Sequence, residues 1–161
     1  MKRRILANAA LTVLIAIATT ESALALEVKK SVDIAAAPDA AWKAIGDFCG
    51  IGTWHPAVAK CDAASKDGSS MRTLTLKDGA KIVEKLSVRD EKAMSYGYTI
   101  VESPLPVANY QSTFSVSAKG AGSTILWTGK FDAKGTDDAK ASDVISGIYD
   151  AGLASLVAKL K

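Results

Sequence analysis

The sequence predicts an α+β domain in which a curved antiparallel sheet of about seven strands packs against one long C-terminal helix. Three observations support this fold class. Segments with strand-like alternation follow one another between turns over residues 58–133. Residues 137–161 carry apolar side chains at near-helical spacing, with acidic residues first and lysines last. One strand and one or two short helices come earlier, so the long helix must cover the apolar face of the sheet.

The first strand and the short helices precede the main run of strands. Residues 27–34 alternate between apolar and polar, which predicts a strand. Pro38 and Asp39 suit the first turn of a helix. The backbone N–H groups of that turn have no partner within the helix, so proline loses nothing there, and the positive N-terminal end of the helix dipole favours aspartate. Gly46 ends this helix. The irregular segment 48–56 can hold one more helical turn.

Alternation and turn residues predict six further strands. Lys77, Asp78 and Gly79 form a strong hairpin signal. Pro104 and Pro106 exclude their segment from a central strand, because proline cannot donate to the hydrogen-bond ladder. Glycines at turns and inside strands are compatible with bends, and a strongly curved sheet can leave a cavity beneath the helix. The six strands are predicted over 58–63, 71–76, 81–89, 94–101, 109–118 and 123–133.

The first 25 residues have the organisation of a secretory signal peptide. Residues 2–4 are basic, residues 5–18 are mainly apolar, and residues 23–25 form a small-x-small cleavage site. The apolar run is shorter than the roughly 18–20 residues that span a bilayer, which argues against an integral membrane protein. The cleavage site favours cutting after Ala25 over the alternative of an uncleaved N-terminal anchor. We therefore expect one mature domain, 26–161, in the periplasm. Removal of the leader lowers the formal net charge from +3 to +1.

Charge and motif content exclude several classes of function. In the mature chain, lysines and arginines are scattered among acidic residues, so no basic stripe is available for nucleic acid. His55 is the only histidine, which excludes a multi-histidine metal site, and no glycine-rich nucleotide motif occurs. We therefore expect no cofactor, no metal site, no nucleic-acid partner and no membrane-spanning segment in the mature protein.

The two cysteines, Cys49 and Cys61, allow two interpretations. A disulfide is permitted in an oxidising compartment and would contribute ~3 kcal/mol by restricting the unfolded chain. The alternative is a pair of small buried apolar side chains that never meet, since spacing does not reveal Cβ geometry.

Glu84 and His55 are the candidate polar groups of a site. Strand alternation places Glu84 on the face shared with Ile82 and Leu86, which aims its carboxylate inward. A bulge or a rim position would instead place it in water. His55 is suited to act as a general base or as a polar contact for a ligand. The alternative is a loop imidazole that hydrogen-bonds the backbone.

Five aromatic side chains suit the wall of an apolar pocket. They are Trp54, Tyr96, Tyr98, Tyr110 and Trp127, and each combines an apolar ring with a polar tip. The alternative is that several of them are ordinary core or surface residues.

Three segments of the chain have a distinctive sequence pattern. They are Trp54-His55-Pro56-Ala57-Val58, the hairpin from Leu74-Thr75-Leu76-Lys77-Asp78-Gly79 into Ile82-Val83-Glu84-Lys85-Leu86, and the stretch from Pro104-Leu105-Pro106 to Asn109-Tyr110-Gln111-Ser112. These segments resemble the bacterial polyketide cyclase/dehydrase and lipid-transport proteins. This family belongs to the START-related helix-grip superfamily, also called SRPBCC, which includes the birch-pollen allergen and the plant abscisic acid receptors. The likeness extends from Glu27 to the C-terminus and implies a helix-grip fold around a ligand cavity.

The resemblance assigns roles to several of these residues. In the plant receptors two loops close over the pocket, and residues 77–80 are similar to the gate while residues 103–109 are similar to the latch. Glu84 stands at an inward pocket carboxylate position. Ala59 replaces the lysine that binds the ligand carboxylate in the receptors, which argues against abscisic acid as the ligand. The residues predicted to bind ligand are Trp54, His55, Glu84, Tyr98, Leu105, Pro106, Asn109, Tyr110, Trp127, Ile148 and Gly152.

The leading functional expectation is noncatalytic binding or transport of a small hydrophobic molecule in an elongated apolar cavity, in the periplasm. One alternative follows from resemblance to the periplasmic accessory protein of bacterial methanol oxidation. In this alternative the protein binds a periplasmic quinoprotein dehydrogenase and assists its reaction. The second alternative is a polyketide cyclase or hydrolase that uses Glu84 or His55.

Overall fold

The computed structural model describes residues 25–161. The predicted signal peptide, apart from its last residue, lies outside the described residues. Within them, no helix combines the length and apolar character needed to cross a membrane. The elements are β1 (Leu26–Ile34), α1 (Pro38–Ile45), α2 (Ile51–Trp54), β2 (Val58–Lys66), β3 (Ser69–Leu76), β4 (Lys81–Asp90), β5 (Ser95–Glu102), β6 (Val107–Lys119), β7 (Gly122–Ala133) and α3 (Asp138–Lys159).

The strands form one antiparallel sheet in the order β1-β7-β6-β5-β4-β3-β2. Helix α3 packs against β1 and β7, and its buried face includes Ile145, Tyr149, Leu153 and Leu156. This arrangement confirms the predicted α+β helix-grip class, including its seven strands and the two short helices after the first strand. The apolar core lies between the sheet and the helices.

Local chemistry explains where the helices begin and end. Helix α1 starts at Pro38, and Gly46 follows its last residue with a φ of +77°, a conformation that favours glycine. Asp137 caps α3, because its side chain accepts a hydrogen bond of 2.8 Å from the backbone N–H of Lys140.

A β-bulge in β6 changes which side chains face the core. The register with β7 shifts between Ala108 and Gln111, and Asn109 within the bulge has a φ of +52°. The Asn109 side-chain amide donates to the Asp132 carboxylate at 2.7 Å, which supports this turn of the backbone. Because of the extra residue, Val107 and Tyr110 are both buried although strict alternation would separate them.

Cys49 and Cys61 form a disulfide with a Cα–Cα separation of 5.6 Å. The structure therefore agrees with the first interpretation of the cysteines, in which they form a disulfide. The bond ties the chain just before α2 to β2 and closes the loop that carries Ile51 and His55. This crosslink limits how far these two residues can move relative to the sheet.

Candidate functional site

A small cavity lies between the sheet and α3. Its volume is about 40 Å³, and one water molecule needs ~10–15 Å³ measured in this way. The expectation of an elongated cavity is therefore wrong. Seven of the residues predicted to bind ligand line this cavity: His55, Glu84, Tyr98, Leu105, Tyr110, Trp127 and Ile148.

Aromatic side chains occupy the space that the sequence analysis assigned to a cavity. The rings of Trp127 and Tyr149 stack with centroids 4.2 Å apart. Phe114 and Trp127 form a T-shaped pair, and Tyr110 stacks on Phe131. Periodicity identifies inward-facing aromatics but not the volume left between them, because that volume depends on rings from several elements.

Glu84 faces the interior, as its alternation with Ile82 predicts, and its partner is Arg72. The two residues lie opposite each other in the register of β3 and β4, and Arg72 Nε donates to Glu84 Oε2 at 2.5 Å. Arg72 also donates to the backbone carbonyl of Phe48. The guanidinium carbon lies 4.0 Å from the centroid of the Phe48 ring and 5.0 Å from that of Tyr98.

This ion pair is almost wholly removed from water. The exposed fraction is 1% for Arg72 and 5% for Glu84. Burial raises the pKa of the Glu84 carboxyl, and the nearby Arg72 guanidinium opposes that rise. Sequence analysis missed Arg72, although its alternation with Leu74 in β3 places both side chains on the same face.

Three tyrosine hydroxyls and one serine hydroxyl form a connected hydrogen-bond network beside the cavity. Tyr110 and Tyr149 share a hydrogen bond through their hydroxyls, and Ser112 Oγ lies 3.2 Å from the Tyr149 hydroxyl. Trp127 Nε1 donates to Ser112 Oγ at 3.0 Å and to the Tyr98 hydroxyl at 3.1 Å. The network provides neutral hydroxyls that can both donate and accept hydrogen bonds.

Burial keeps these phenols in the neutral form. It raises the pKa of Tyr149 to about 12 and raises the pKa values of Tyr98 and Tyr110 well above their usual value. Gly129 allows the Tyr149 hydroxyl to approach the sheet, because a Cβ at this position would lie 2.3 Å from that oxygen. Tyr149 was also missed by the sequence analysis, although it follows Ile148 in the predicted amphipathic helix.

His55 lines the cavity, but both of its ring nitrogens have backbone partners. Nδ1 accepts from the N–H of Ala57 at 3.2 Å, so Nε2 carries the proton and donates to the carbonyl of Ile148 at 3.0 Å. Burial lowers the pKa of the imidazole, and the Ile148 carbonyl opposes this change. The structure therefore agrees with the interpretation of His55 as an imidazole that hydrogen-bonds the backbone.

Trp54 and Gly152 pack the core and do not line the cavity. Trp54 Nε1 donates to the Ile45 carbonyl at 3.1 Å. A Cβ on Gly152 would lie 2.7 Å from His55 Cδ2 and 2.9 Å from Trp127 Cζ3. The expectation that these two residues line the ligand cavity is therefore corrected. The absence of a side chain at Gly152 permits close packing of α3 on the aromatic rings.

Pro106 and Asn109 also lie away from the cavity. The Pro106 carbonyl accepts from the backbone N–H of Lys134 at 3.0 Å, so Pro106 anchors the turn between β5 and β6. Asn109 lies in the bulge of β6 and lines a separate surface groove of about 490 Å³. The bulge explains this placement, since it separates Asn109 from the inward face that Tyr110 occupies.

The polar groups at the cavity are suited to hydrogen bonding. Across residues 25–161, no three side chains among His, Cys, Asp and Glu come together as a possible metal site. The polar groups at the cavity are instead one carboxylate paired with arginine, one neutral imidazole and three neutral phenols. They can orient a ligand by hydrogen bonding.

The fold and this polar-tipped cavity define the class of protein, a helix-grip domain of the ligand-binding type. The model of the family described as polyketide cyclase / dehydrase and lipid transport matches residues 25–161. The chain belongs to this family, which confirms the resemblance drawn from the sequence.

Several solved structures share the fold. XoxI from Bacillus cereus is 31% identical, with a TM-score of 0.77, and the match covers 83% of this chain and 94% of XoxI. An uncharacterised protein from Bacillus thuringiensis is 30% identical with the same TM-score, covering 84% of this chain and 98% of that protein. The ZhuI aromatase/cyclase from Streptomyces is 15% identical, with a TM-score of 0.69 and coverage of 84% and 93%, and shows the fold alone. Comparison with curated proteins gives no significant match.

Proposed function

We propose that this protein binds a small hydrophobic molecule noncatalytically in the cavity between the sheet and α3, and that it does so in the periplasm. The observation that carries the proposal is the convergence of polar groups on an otherwise apolar cavity. Glu84, Tyr98, Tyr110 and Tyr149 contribute these groups, and branched apolar residues such as Leu74 and Ile82 contribute the rest of the wall. A mainly apolar ligand that also carries hydrogen-bonding groups fits this combination.

The cost of burying these groups supports a role beyond packing. A buried ion pair is expensive to desolvate, and well-packed apolar residues of similar volume are often equally or more stabilising. Arg72 and Glu84 nevertheless occupy the interior beside the cavity. Ligand affinity would come from burial of apolar area, at ~25 cal/mol per Å² before ordering costs, while the polar groups select orientation.

The volume of the cavity limits what it can hold. About 40 Å³ is too little for a lipid or a polycyclic molecule unless lining side chains move. Leu105 is in the turn between β5 and β6, and Ile148 is a half-buried residue on α3. These two side chains are the ones we expect to move when a larger ligand enters. The ligand is therefore small, or only one narrow end of it is enclosed.

The N-terminal sequence pattern and the disulfide support the periplasmic part of the proposal. Residues 1–25 have the pattern of a signal peptide. The bond between Cys49 and Cys61 is of a kind that persists in oxidising compartments. Detection of the mature chain, beginning at Leu26, in a periplasmic fraction tests this part; an uncleaved or cytosolic chain contradicts it.

Binding is tested with 1-hexanol, which has a narrow apolar chain and one hydroxyl. We expect saturable ¹H–¹⁵N chemical-shift changes at cavity residues in the wild type. Ile148→Phe places a ring at the cavity and abolishes them, while Val157→Phe, a half-buried position on the same helix away from the cavity, preserves them. Absence of saturable shifts in the wild type, or equal shifts in both variants, contradicts the proposal.

An accessory role is the second candidate, favoured by the similarity to XoxI and by the small free volume of the interior. Deletion of the gene would then lower the activity of a periplasmic quinoprotein dehydrogenase, and purified protein would restore it. The Ile148→Phe protein separates the two candidates, because it retains an accessory function that depends on the surface alone. A cyclase reaction has less support, since His55 and Glu84 are already engaged by other groups.

A further inference from the structure

Strands β5 and β6 separate before they reach the turn that joins them. Their pairing runs from Ser95–Ser115 to Thr99–Gln111 and stops there. Beyond this point Ile100 and Glu102 keep their partners in β4, while Val107 and Ala108 keep theirs in β7. Each strand is therefore held by its outer neighbour, and the sheet has a gap between residues 100–102 and residues 107–110.

The gap forms the surface groove of about 490 Å³ that Asn109 lines. Its side chains are largely polar: Glu102, Ser103, Asn109, Gln111 and Lys134. The two charged residues have opposite signs, so the groove has no excess of either charge. In the part of the chain that the structure describes, no strand pairs with the edges that face the gap. A strand edge without a partner presents backbone N–H and C=O groups to a ligand, although the N–H of Val107 already donates to the Leu105 carbonyl.

Ile100 and Tyr110 connect this groove with the inner cavity. Both residues line both spaces. The Tyr110 hydroxyl points to the interior, where it meets Tyr149, and Ile100 is half-buried at the edge of the core. These two residues therefore lie where the groove and the cavity meet.

We infer that the groove and the inner cavity form one continuous binding site for an amphiphile. The narrow apolar end passes between Ile100 and Tyr110 and packs against the apolar part of the cavity wall, which includes Leu74 and Ile82, and an uncharged, hydrogen-bonding head occupies the gap between β5 and β6. This inference rests on the proposed binding function and specifies its ligand class. The volumes agree with it, because the cavity of about 40 Å³ holds only a chain end while the groove of about 490 Å³ holds a bulky head.

The neutrality of the head follows from the lining of the groove. A carboxylate head would meet Glu102, and a cationic head would meet Lys134. A head with several hydroxyl or amide groups can instead donate to and accept from the two strand edges. Octyl glucoside below its micelle concentration is therefore the probe, and octanoate is the charged comparison.

The test uses one variant in the groove and a matched one outside it. Ala108→Trp fills the groove without touching the cavity, whereas Thr113→Trp lies on the same strand in its paired part. In calorimetric titrations we expect octyl glucoside to bind at least tenfold more tightly than octanoate or 1-hexanol. Ala108→Trp removes this advantage and leaves 1-hexanol binding unchanged, while Thr113→Trp leaves both unchanged.

Three results would overturn the inference while leaving the proposed function in place. They are an affinity for octyl glucoside no higher than for 1-hexanol, the same affinity in Ala108→Trp as in the wild type, and octyl glucoside binding that Ile148→Phe does not weaken. If the wild type does not bind 1-hexanol, the proposed function itself, on which the inference rests, is contradicted. Intermolecular NOEs from the terminal methyl group to the rings of Tyr98 or Trp127 provide a positional readout; their absence at saturation also overturns the inference.

Discussion

Arg72 lies directly across from Glu84 in neighbouring strands, and its Nε donates to Glu84 Oε2 at 2.5 Å on the buried face of the sheet. Glu84 lines the cavity, and both residues are nearly inaccessible to water. Each residue makes burial of the other tolerable, because an isolated charge in the interior is far more costly than a paired one.

Arg72→Met is expected to destabilise the protein by ~3–5 kcal/mol, since it leaves the Glu84 carboxyl buried without its partner. The double variant Arg72→Met/Glu84→Leu should recover most of that loss, because it removes both charges from the interior. Urea unfolding followed by tryptophan fluorescence measures both values. If the double variant is as unstable as the single one, the loss comes from packing of the arginine stem and the interpretation of the pair is wrong.

The lone histidine predicts a pH dependence of stability. Burial lowers the pKa of His55 below its usual 6.5, so the unfolded chain binds the proton more readily than the folded protein. The resulting stability is fully present above about pH 6.5 and is lost as the pH falls through the folded-state pKa.

His55→Gln removes this titration. We expect the free-energy difference between the wild type and this variant to shrink as the pH falls from about 7.5 to about 5. Subtracting the variant from the wild type cancels the contributions of the carboxyl groups that both proteins share. A difference that stays constant over this range would show that His55 does not titrate differently in the folded and unfolded states.

Two glycines of α3 give a matched test of how the helix packs. Gly152→Ala should destabilise the protein by ~1–3 kcal/mol, because the new methyl group would lie 2.7 Å from His55 Cδ2 and 2.9 Å from Trp127 Cζ3. Gly147→Ala meets no atom within 4 Å and should stabilise the helix by ~0.5–1 kcal/mol. Thermal unfolding of both variants checks the prediction. Equal effects would mean that α3 does not pack closely at Gly152.

Reduction of the disulfide should lower the free energy of unfolding by ~3 kcal/mol, the value expected for a short closed loop. The variant Cys49→Ala/Cys61→Ala should show a similar loss without reductant. Thiol labelling of the native protein should require both denaturant and reductant. Labelling in denaturant alone would show that the cysteines are not bonded.

The order of elements was predictable because it depends on neighbours along the chain. Pro38 and Gly46 mark the two ends of α1 through their own backbone preferences. Pro104 has no backbone N–H to donate, and the segment 103–106 lies outside the strands. The inward direction of Glu84 also followed from alternation within one strand. These features rely on periodicity and turn chemistry, which are local.

The bulge at Asn109 shows where local reasoning ended. The alternation of residues in β6 does not predict the extra residue. Because of that residue, Val107 and Tyr110 are both buried and Asn109 faces the groove. Its position depends on pairing with β7, a partner that is distant along the chain at this point. Register between strands is a property of the pair and not of either segment alone.

The site divides in the same way. From residue pattern came the domain type, the turns, and the polar and aromatic side chains that turn inward. The pairing of Glu84 with Arg72, the contact of Tyr149 with Tyr110 and the cavity of about 40 Å³ arose only when separate elements packed together. A free volume is the small difference between the space enclosed by the backbone and the summed volumes of the side chains that fill it, so it emerges only from the packed three-dimensional arrangement.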